Sequence, residues 1–297
     1  MPSPLLALVL SAPLLTTQPV PPLVSSFARL AEPAGGRVGV AVAILEERDE
    51  PLGWQSGYTY PMQSVYKLPI AMAALHEVEA GRLTLATEVR VAKADLAPAI
   101  ARSVLRERHP EGGTVTVGEL VRLAVADSDG TASDVLLRLL EGPEKVMAYL
   151  KDIGVREMTV ADTVKEVARS NELQYRNSTT PDAAIQLLRA LHAGPALAAT
   201  HRTLLLRHMT ETATAPRRLK GLLPPGTAVA HKSGTSLTTG GKTAATNDVG
   251  IVTLPDGRHL AIAVFIADSP ADEATRERVI AEIARAAWDH YSAPPGR

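Results

Sequence analysis

A serine hydroxyl becomes a nucleophile at neutral pH only beside a base, with donors aimed at the oxyanion that forms when it attacks a carbonyl. The stretch MQSVYKLPIAM, residues 62–72, sets Ser64 three residues ahead of Lys67, where a polar, turn-rich segment gives way to a helical pattern. Three residues along a helix bring two side chains to the same face, so the Lys67 amine can point at the Ser64 hydroxyl. Ser64 at the helix start would also feel the positive end of the helix dipole. Taken in isolation, the pair reads first as a helix cap followed by a surface lysine. Two later segments add groups of the same kind. VADSDGTASD, residues 125–134, puts Ser128 and Asp129 in a tight connection between two helical runs, from which a hydroxyl can project into a cleft. AHKSGTS, residues 230–236, puts Lys232 and Ser233 at the end of a polar loop, just ahead of a terminal pair of strands.

The elements that must hold these groups follow from periodicity. RVGVAVAIL, residues 37–45, alternates in the period of two of a strand with one face buried. NDVGIVTLPDGRHLAIAVFIAD, residues 247–268, is two apolar runs joined by Pro255-Asp256-Gly257, which predicts a hairpin. The last stretch, DEATRERVIAEIARAAWDHY, places Val279, Ile280, Ile283, Ala287, Trp288 and Tyr291 on one helical face. Between these ends the pattern is helical: about 65–80, stopped by Gly81; about 117–126, opened by Thr116 with Glu119 as a capping box; and about 131–141. A further helix runs from Thr180-Pro181 to Gly194. The spacing thus predicts a helical unit, 62–207, inserted into a strand-and-helix unit built from 24–61 and 208–297.

Composition narrows the function. With 297 residues, 45% of them hydrophobic, the chain can bury one large core or two modest ones. The 31 basic residues against 32 acidic leave no excess for a polyanion, so no nucleic-acid partner is expected and a small uncharged or singly charged substrate fits better. The absence of cysteine excludes disulfides, thiolate metal sites and a cysteine nucleophile. Eight histidines show no His-x-His or His-Glu-x-x-His spacing, and no metal or other cofactor is expected. The opening MPSPLLALVLSAPLLTTQPVPP reads as a signal peptide over residues 1–23, with export to the periplasm or medium. Its apolar run falls short of the roughly 20 residues that cross a bilayer, so no membrane span is expected.

In this order, Ser64-x-x-Lys67, Ser128-Asp129 and Lys232-Ser233-Gly234 form the motif set of penicillin-recognising serine enzymes, and the chain resembles a class A serine β-lactamase. The resemblance covers nearly the whole mature chain. RRLKGLLPPGTAVAHKSGTS, GGKTAATNDVGIVTLPDGR and LQYRNSTTP are similar to the corresponding stretches of the extended-spectrum branch that includes the PER and VEB enzymes. The resemblance implies an α+β fold, a five-stranded antiparallel sheet with flanking helices plus an inserted all-helical domain, with the active site between the two. It implies a monomer that hydrolyses the β-lactam ring of penicillins and cephalosporins through a serine acyl-enzyme and confers antibiotic resistance. By the same resemblance Ser64 is acylated, Lys67 takes or relays its proton, Ser128 protonates the lactam nitrogen and Lys232 holds that hydroxyl. Backbone N–H groups of Ser64 and Thr235 would form the oxyanion hole, and Ser233, Thr235 and Arg218 would meet the substrate carboxylate. For Arg218, a solvated surface charge beside Arg217 and Lys220 is the open alternative.

The chain departs from the family at two places. The loop ADTVKEVARSNELQYRN, residues 161–177, contains Glu166, the expected activator of the deacylating water, with Asn171 expected to help hold that water. Counting back from Asn177, however, the family spacing of thirteen lands on Val164, and Glu166 lies eleven back. Ser170 stands where the family's partner residue would be, Asp162 and Glu172 are the other carboxylates within reach, and a solvated loop charge is the alternative for Glu166. Gly130 stands where the family usually has an asparagine that anchors the substrate's side-chain amide, and losing such an anchor costs about 1 kcal/mol. Two rival readings therefore stay open: a penicillin-binding or DD-peptidase-like protein that acylates but deacylates slowly, and a β-lactam-binding sensor.

Overall fold

The structure, a computed structural model, describes residues 20–194 and 196–293. Nearly all of the expected export segment lies outside the described residues. From the N-terminus run α1 (Pro22–Ala31), β1 (Arg37–Ile44), β2 (Leu52–Trp54), β3 (Tyr60–Pro61), α2 (Lys67–Glu79), β4 (Glu88–Ala92), α3 (Val104–Arg108), β5 (Gly112–Thr116), α4 (Val117–Ala126) and α5 (Gly130–Leu139). There follow α6 (Pro143–Asp152), β6 (Met158–Thr159), α7 (Val164–Val167), β7 (Ser178–Thr179), α8 (Pro181–Ala193) and α9 (Ala199–Thr210). The chain closes with β8 (Val229–Thr235), β9 (Thr238–Thr239), β10 (Lys242–Thr253), β11 (His259–Ser269) and α10 (Glu273–Ser292).

The alternating run at 37–44 forms β1, and the 247–268 pattern forms most of the β10–β11 hairpin, closed across Thr253 and His259 with Gly257 at φ +88°. These strands lie in antiparallel order β2-β1-β11-β10-β8, five strands in line, with the two-residue β9 added on β10. Both faces are covered, which is why β1 is buried at every position after Arg37. On one face Val40, Val264 and Ile266 pack with Phe27 of α1 and Ile280 and Ile283 of α10. On the other, Ala41, Ala263 and Phe265 join Tyr60 and the apolar sides of α2, α4, α5 and α8 in a second core. α10 buries Val279, Ile280, Ile283 and Ala287 as its spacing predicts, while Trp288 and Tyr291 sit half-buried at the edge.

The helical middle matches its signals with four adjustments. The segment 63–66 is a 3-10 turn that leads into α2, and α5 spans Gly130–Leu139 rather than 131–141. At Thr116 only half of the capping box forms: the hydroxyl accepts from Glu119 N at 3.2 Å, but the Glu119 carboxylate turns to Arg122 at 2.9 Å. The boundary expected at 207–208 falls inside α9, which packs on both α4 and β8. No helix among the described residues is long and apolar enough to cross a membrane.

Gly39 shows how tightly the layers meet. A Cβ there would lie 2.4 Å from the Tyr60 ring and 2.8 Å from Pro181 at the start of α8. Gly39→Ala should therefore cost about 1–3 kcal/mol through overpacking, read as a lowered midpoint in denaturant unfolding. An unchanged midpoint would mean that Tyr60 has room to yield.

Candidate active site

Ser64 sits in the 3-10 turn between the sheet and α2, and two contacts from the sheet fix that turn. Asn247 on β10 donates through Nδ2 to the carbonyls of Pro61 at 2.7 Å and Met62 at 3.1 Å. Gly234 on β8 approaches so closely that a Cβ would lie 2.4 Å from Met62 O and 3.1 Å from Ser64 N. A glycine is needed for this approach, and it sets the backbone of Gly234 and Thr235 against that of Ser64. Gln63 holds φ at 47° and Ser128 at 57° without being glycine, and strain of this kind collects at functional sites.

The two lysines meet at Ser128. Lys67 Nζ donates to the Ser128 carbonyl at 2.6 Å, and Lys232 Nζ donates to the Ser128 hydroxyl at 2.9 Å and to the Ser233 carbonyl at 3.1 Å. Both side chains are almost wholly buried. Burial pushes the Lys67 amine down to about 8, against the opposing pull of Asp129 and Asp134. Lys232 lies well below the ordinary lysine value, first through burial and then through the neighbouring Lys67 charge. Asp129 holds the turn in place: it caps α5 at Ala132 N, 2.8 Å, and accepts from Leu105 N at 2.8 Å.

Around them opens a cavity of about 890 Å³, lined by Ser64, Lys67, Ser128, Ser233, Thr235, Arg218, Ser170 and Asn171 among others. Arg218 is 2% exposed, which removes the surface-charge alternative. Its guanidinium donates to Thr235 Oγ1 at 2.7 Å and to the Gly234 and Asn247 carbonyls, and pairs with Glu277 at 3.4 Å. With that oxygen already accepting, the Thr235 hydroxyl keeps its own proton for a ligand. Ser233 Oγ bonds Thr214 Oγ1 at 3.1 Å.

Three expected residues do not line the cavity: Lys232, which meets it only through Ser128 and Ser233, and Gly130 and Glu166. Gly130 is buried behind it, its N–H donating to Arg102 O at 2.8 Å, and its Cα faces Val164, Ala97 and the Arg102 backbone. The Glu166 carboxylate turns back on its own helix, where Oε2 accepts from Thr163 N at 2.8 Å and Thr163 Oγ1 at 2.9 Å. These hydrogen bonds lower its pKa, and Val164 lines the cavity in its place. The loop is held from below. Asp134 accepts from Val164 N at 2.7 Å and Lys165 N at 3.1 Å, with burial raising its pKa to about 6. Asn177 accepts from Ala161 N and Asp162 N at 2.7 and 3.0 Å.

Sequence reasoning missed three features. Tyr66 lines the cavity with a buried phenol whose pKa is raised by burial and by Asp134, Asp162 and Glu166. Gln63 donates to Gln174 at 3.1 Å, tying the catalytic turn to the loop. Far from the cavity, Glu46, His192 and His259 gather at ligand spacing although their sequence separation gave no metal signal.

The match to known proteins runs through all of this. The model of the Beta-lactamase enzyme family matches residues 22–291. Extended-spectrum beta-lactamase PER-1 of Pseudomonas aeruginosa is 39% identical over 255 residues, 86% of this chain and 83% of that protein. Beta-lactamase VEB-1 of Pseudomonas aeruginosa is 35% identical over 257 residues, covering 86% and 85%. The crystal structure of a beta-lactamase from Chitinophaga pinensis superposes with a TM-score of 0.88 at 41% identity, over 91% of this chain and 99% of that one.

The depressed Lys67 pKa has a stability consequence. Between about 8 and the ordinary lysine value near 10.4, the unfolded chain binds a proton that the folded chain does not, so stability should rise with pH across that window. Denaturant unfolding from pH 7 to 10 should show this rise, shallower in Lys67→Met. Equal slopes in the two proteins would mean that Lys67 is not the group responsible.

Proposed function

This chain belongs to the class A β-lactamase family, and we propose that it opens the β-lactam ring of penicillins and cephalosporins by acylating Ser64, then releases the hydrolysed product and so confers resistance. The observation that carries this reading is the pair of buried amines on either side of Ser128, with Lys67 and Ser128 lining the same cavity as Ser64. A lysine with a pKa of about 8 has a neutral fraction of roughly a tenth at pH 7, far more than an ordinary lysine, which suits a general base. In this reading Lys67 takes the Ser64 proton as Oγ attacks the lactam carbonyl, and the backbone N–H groups of Ser64 and Thr235 receive the oxyanion. Lys232 donates to Ser128 Oγ, so the Ser128 proton is left free to pass to the lactam nitrogen as the C–N bond breaks. Ser233 and Thr235, with Arg218 behind, offer hydroxyl donors and a buried cation to the substrate carboxylate. A cavity of about 890 Å³ suits a drug-sized ligand.

The proposal includes export, with the leader expected over residues 1–23 shortened to end ahead of Pro22, because α1 starts there and Leu23 and Phe27 are core residues. It includes action as a monomer, since one chain brings Ser64, Lys67, Ser128 and Lys232 together. It keeps the division of labour between an inserted unit that carries Ser64, Lys67 and Ser128 and a strand unit that carries Lys232–Thr235.

Intact-protein mass spectrometry with benzylpenicillin should show one drug-sized adduct per chain, absent in Ser64→Ala. No adduct on the wild-type protein would sink the reading. The rate of adduct formation should rise with pH through about 8 and fall by at least about 10²-fold in Lys67→Met. A pH-independent rate would remove Lys67 from the role of base.

A further inference from the structure

Breaking an ester between Ser64 and a ring-opened substrate requires a water whose proton is taken up as its oxygen attacks the acyl carbon. That proton must then return to Ser64 Oγ as the C–O bond breaks. The loop above Ser64 would be the place for the group that takes it, and every carboxylate there is bonded elsewhere or buried off the cavity wall. Glu166 is bonded twice to Thr163. Asp134 has one oxygen on Val164 N and the other on Lys165 N. Asp162 is 4% exposed and pairs with Arg176 at 3.2 Å, and Glu172 accepts from the Ser170 hydroxyl. None of the four lines the cavity. The loop wall is made of Val164, Val167, Ala168, Arg169, Ser170, Asn171 and Gln174. The carboxylates that do line it, Glu273 and Glu277, belong to α10, where Glu277 is held by Arg217 and Arg218.

We infer that the acyl-enzyme on Ser64 is long-lived because the loop presents Val164 to it instead of a base, leaving hydrolysis to the weaker help of Lys67. The inference rests on the acylation reading above and adds to it a slow second half-reaction. Val164 is the position that matters. It faces the cavity from the first turn of α7, and its Cγ1 lies 3.1 Å from where a Gly130 Cβ would stand, beside the Ser128 turn. Val164 is half-buried against the core and lines the same cavity as Ser64 and Lys67, so a carboxylate there would share that cavity with both.

The test follows loss of the benzylpenicillin adduct by time-resolved mass spectrometry in the wild-type protein, Val164→Glu and Glu166→Gln. A well-placed general base contributes about 10²–10⁴-fold, so Val164→Glu should speed loss of the adduct by at least about 10-fold. Glu166→Gln should change it by less than about 2-fold. A ten-fold slowing in Glu166→Gln would overturn the inference, since Glu166 would then be reaching the acyl group. So would an unchanged rate in a Val164→Glu protein whose circular dichroism is native. Should Val164→Glu fail to fold, the Glu166→Gln comparison decides. No adduct on any of the three proteins would instead overturn the acylation reading itself.

Discussion

Two lysine amines buried against one serine set the terms for the rest of the active site. A desolvated ammonium is costly, and a protein meets that cost by pairing the charge or by releasing its proton. Here neither amine has a carboxylate in hydrogen-bond contact: Lys67 and Lys232 reach Ser128 and the Ser233 carbonyl, while Asp129, Asp134 and Asp248 act on them only at longer range. The amines are therefore held toward their neutral forms, Lys232 against the Ser128 hydroxyl and Lys67 against the Ser128 carbonyl. The arrangement works only if Ser128, Ser64 and the β8 backbone stay in register with each other.

That register is secured from the sheet. β10 supplies Asn247, which bonds the two carbonyls ahead of Ser64, and β8 supplies Gly234, whose missing side chain lets the strand touch the turn. Behind the same strand, His231 and Asp248 are both fully buried and bonded through Nδ1 at 2.8 Å, while His231 Nε2 has no hydrogen-bond partner. The twin positive φ values at Gln63 and Ser128 can persist because the surrounding layers leave those residues no alternative.

Much of this was legible in the sequence because the signals are local. Ser64 and Lys67 are three apart, α8 carries a cap, a proline and a terminating glycine, and the β10–β11 turn contains Pro255-Asp256-Gly257. What escaped depends on contacts between distant segments. Nothing near Arg218, flanked by Arg217 and Lys220, tells that it is buried between Thr235 and Glu277. α1 was masked by the apolar stretch before it, and α9 by its polar composition. Glu166 is the instructive case. Thr163-x-x-Glu166 is itself a capping-box pattern, and the structure forms that box, so the same four residues that start α7 turn the carboxylate away from the cavity. The family register and the local cap both favour Val164 at the cavity wall.

The central claim is that burial lowers the Lys67 amine to about 8, so that a fraction of it is neutral near pH 7. Carbon-13 NMR of ε-labelled lysines, with the Lys67 signal assigned by its loss in Lys67→Met, would read that proton directly in the folded protein. The account predicts a titration centred at about 8. A Lys67 signal that stays protonated up to the ordinary lysine range near 10.4 would contradict it.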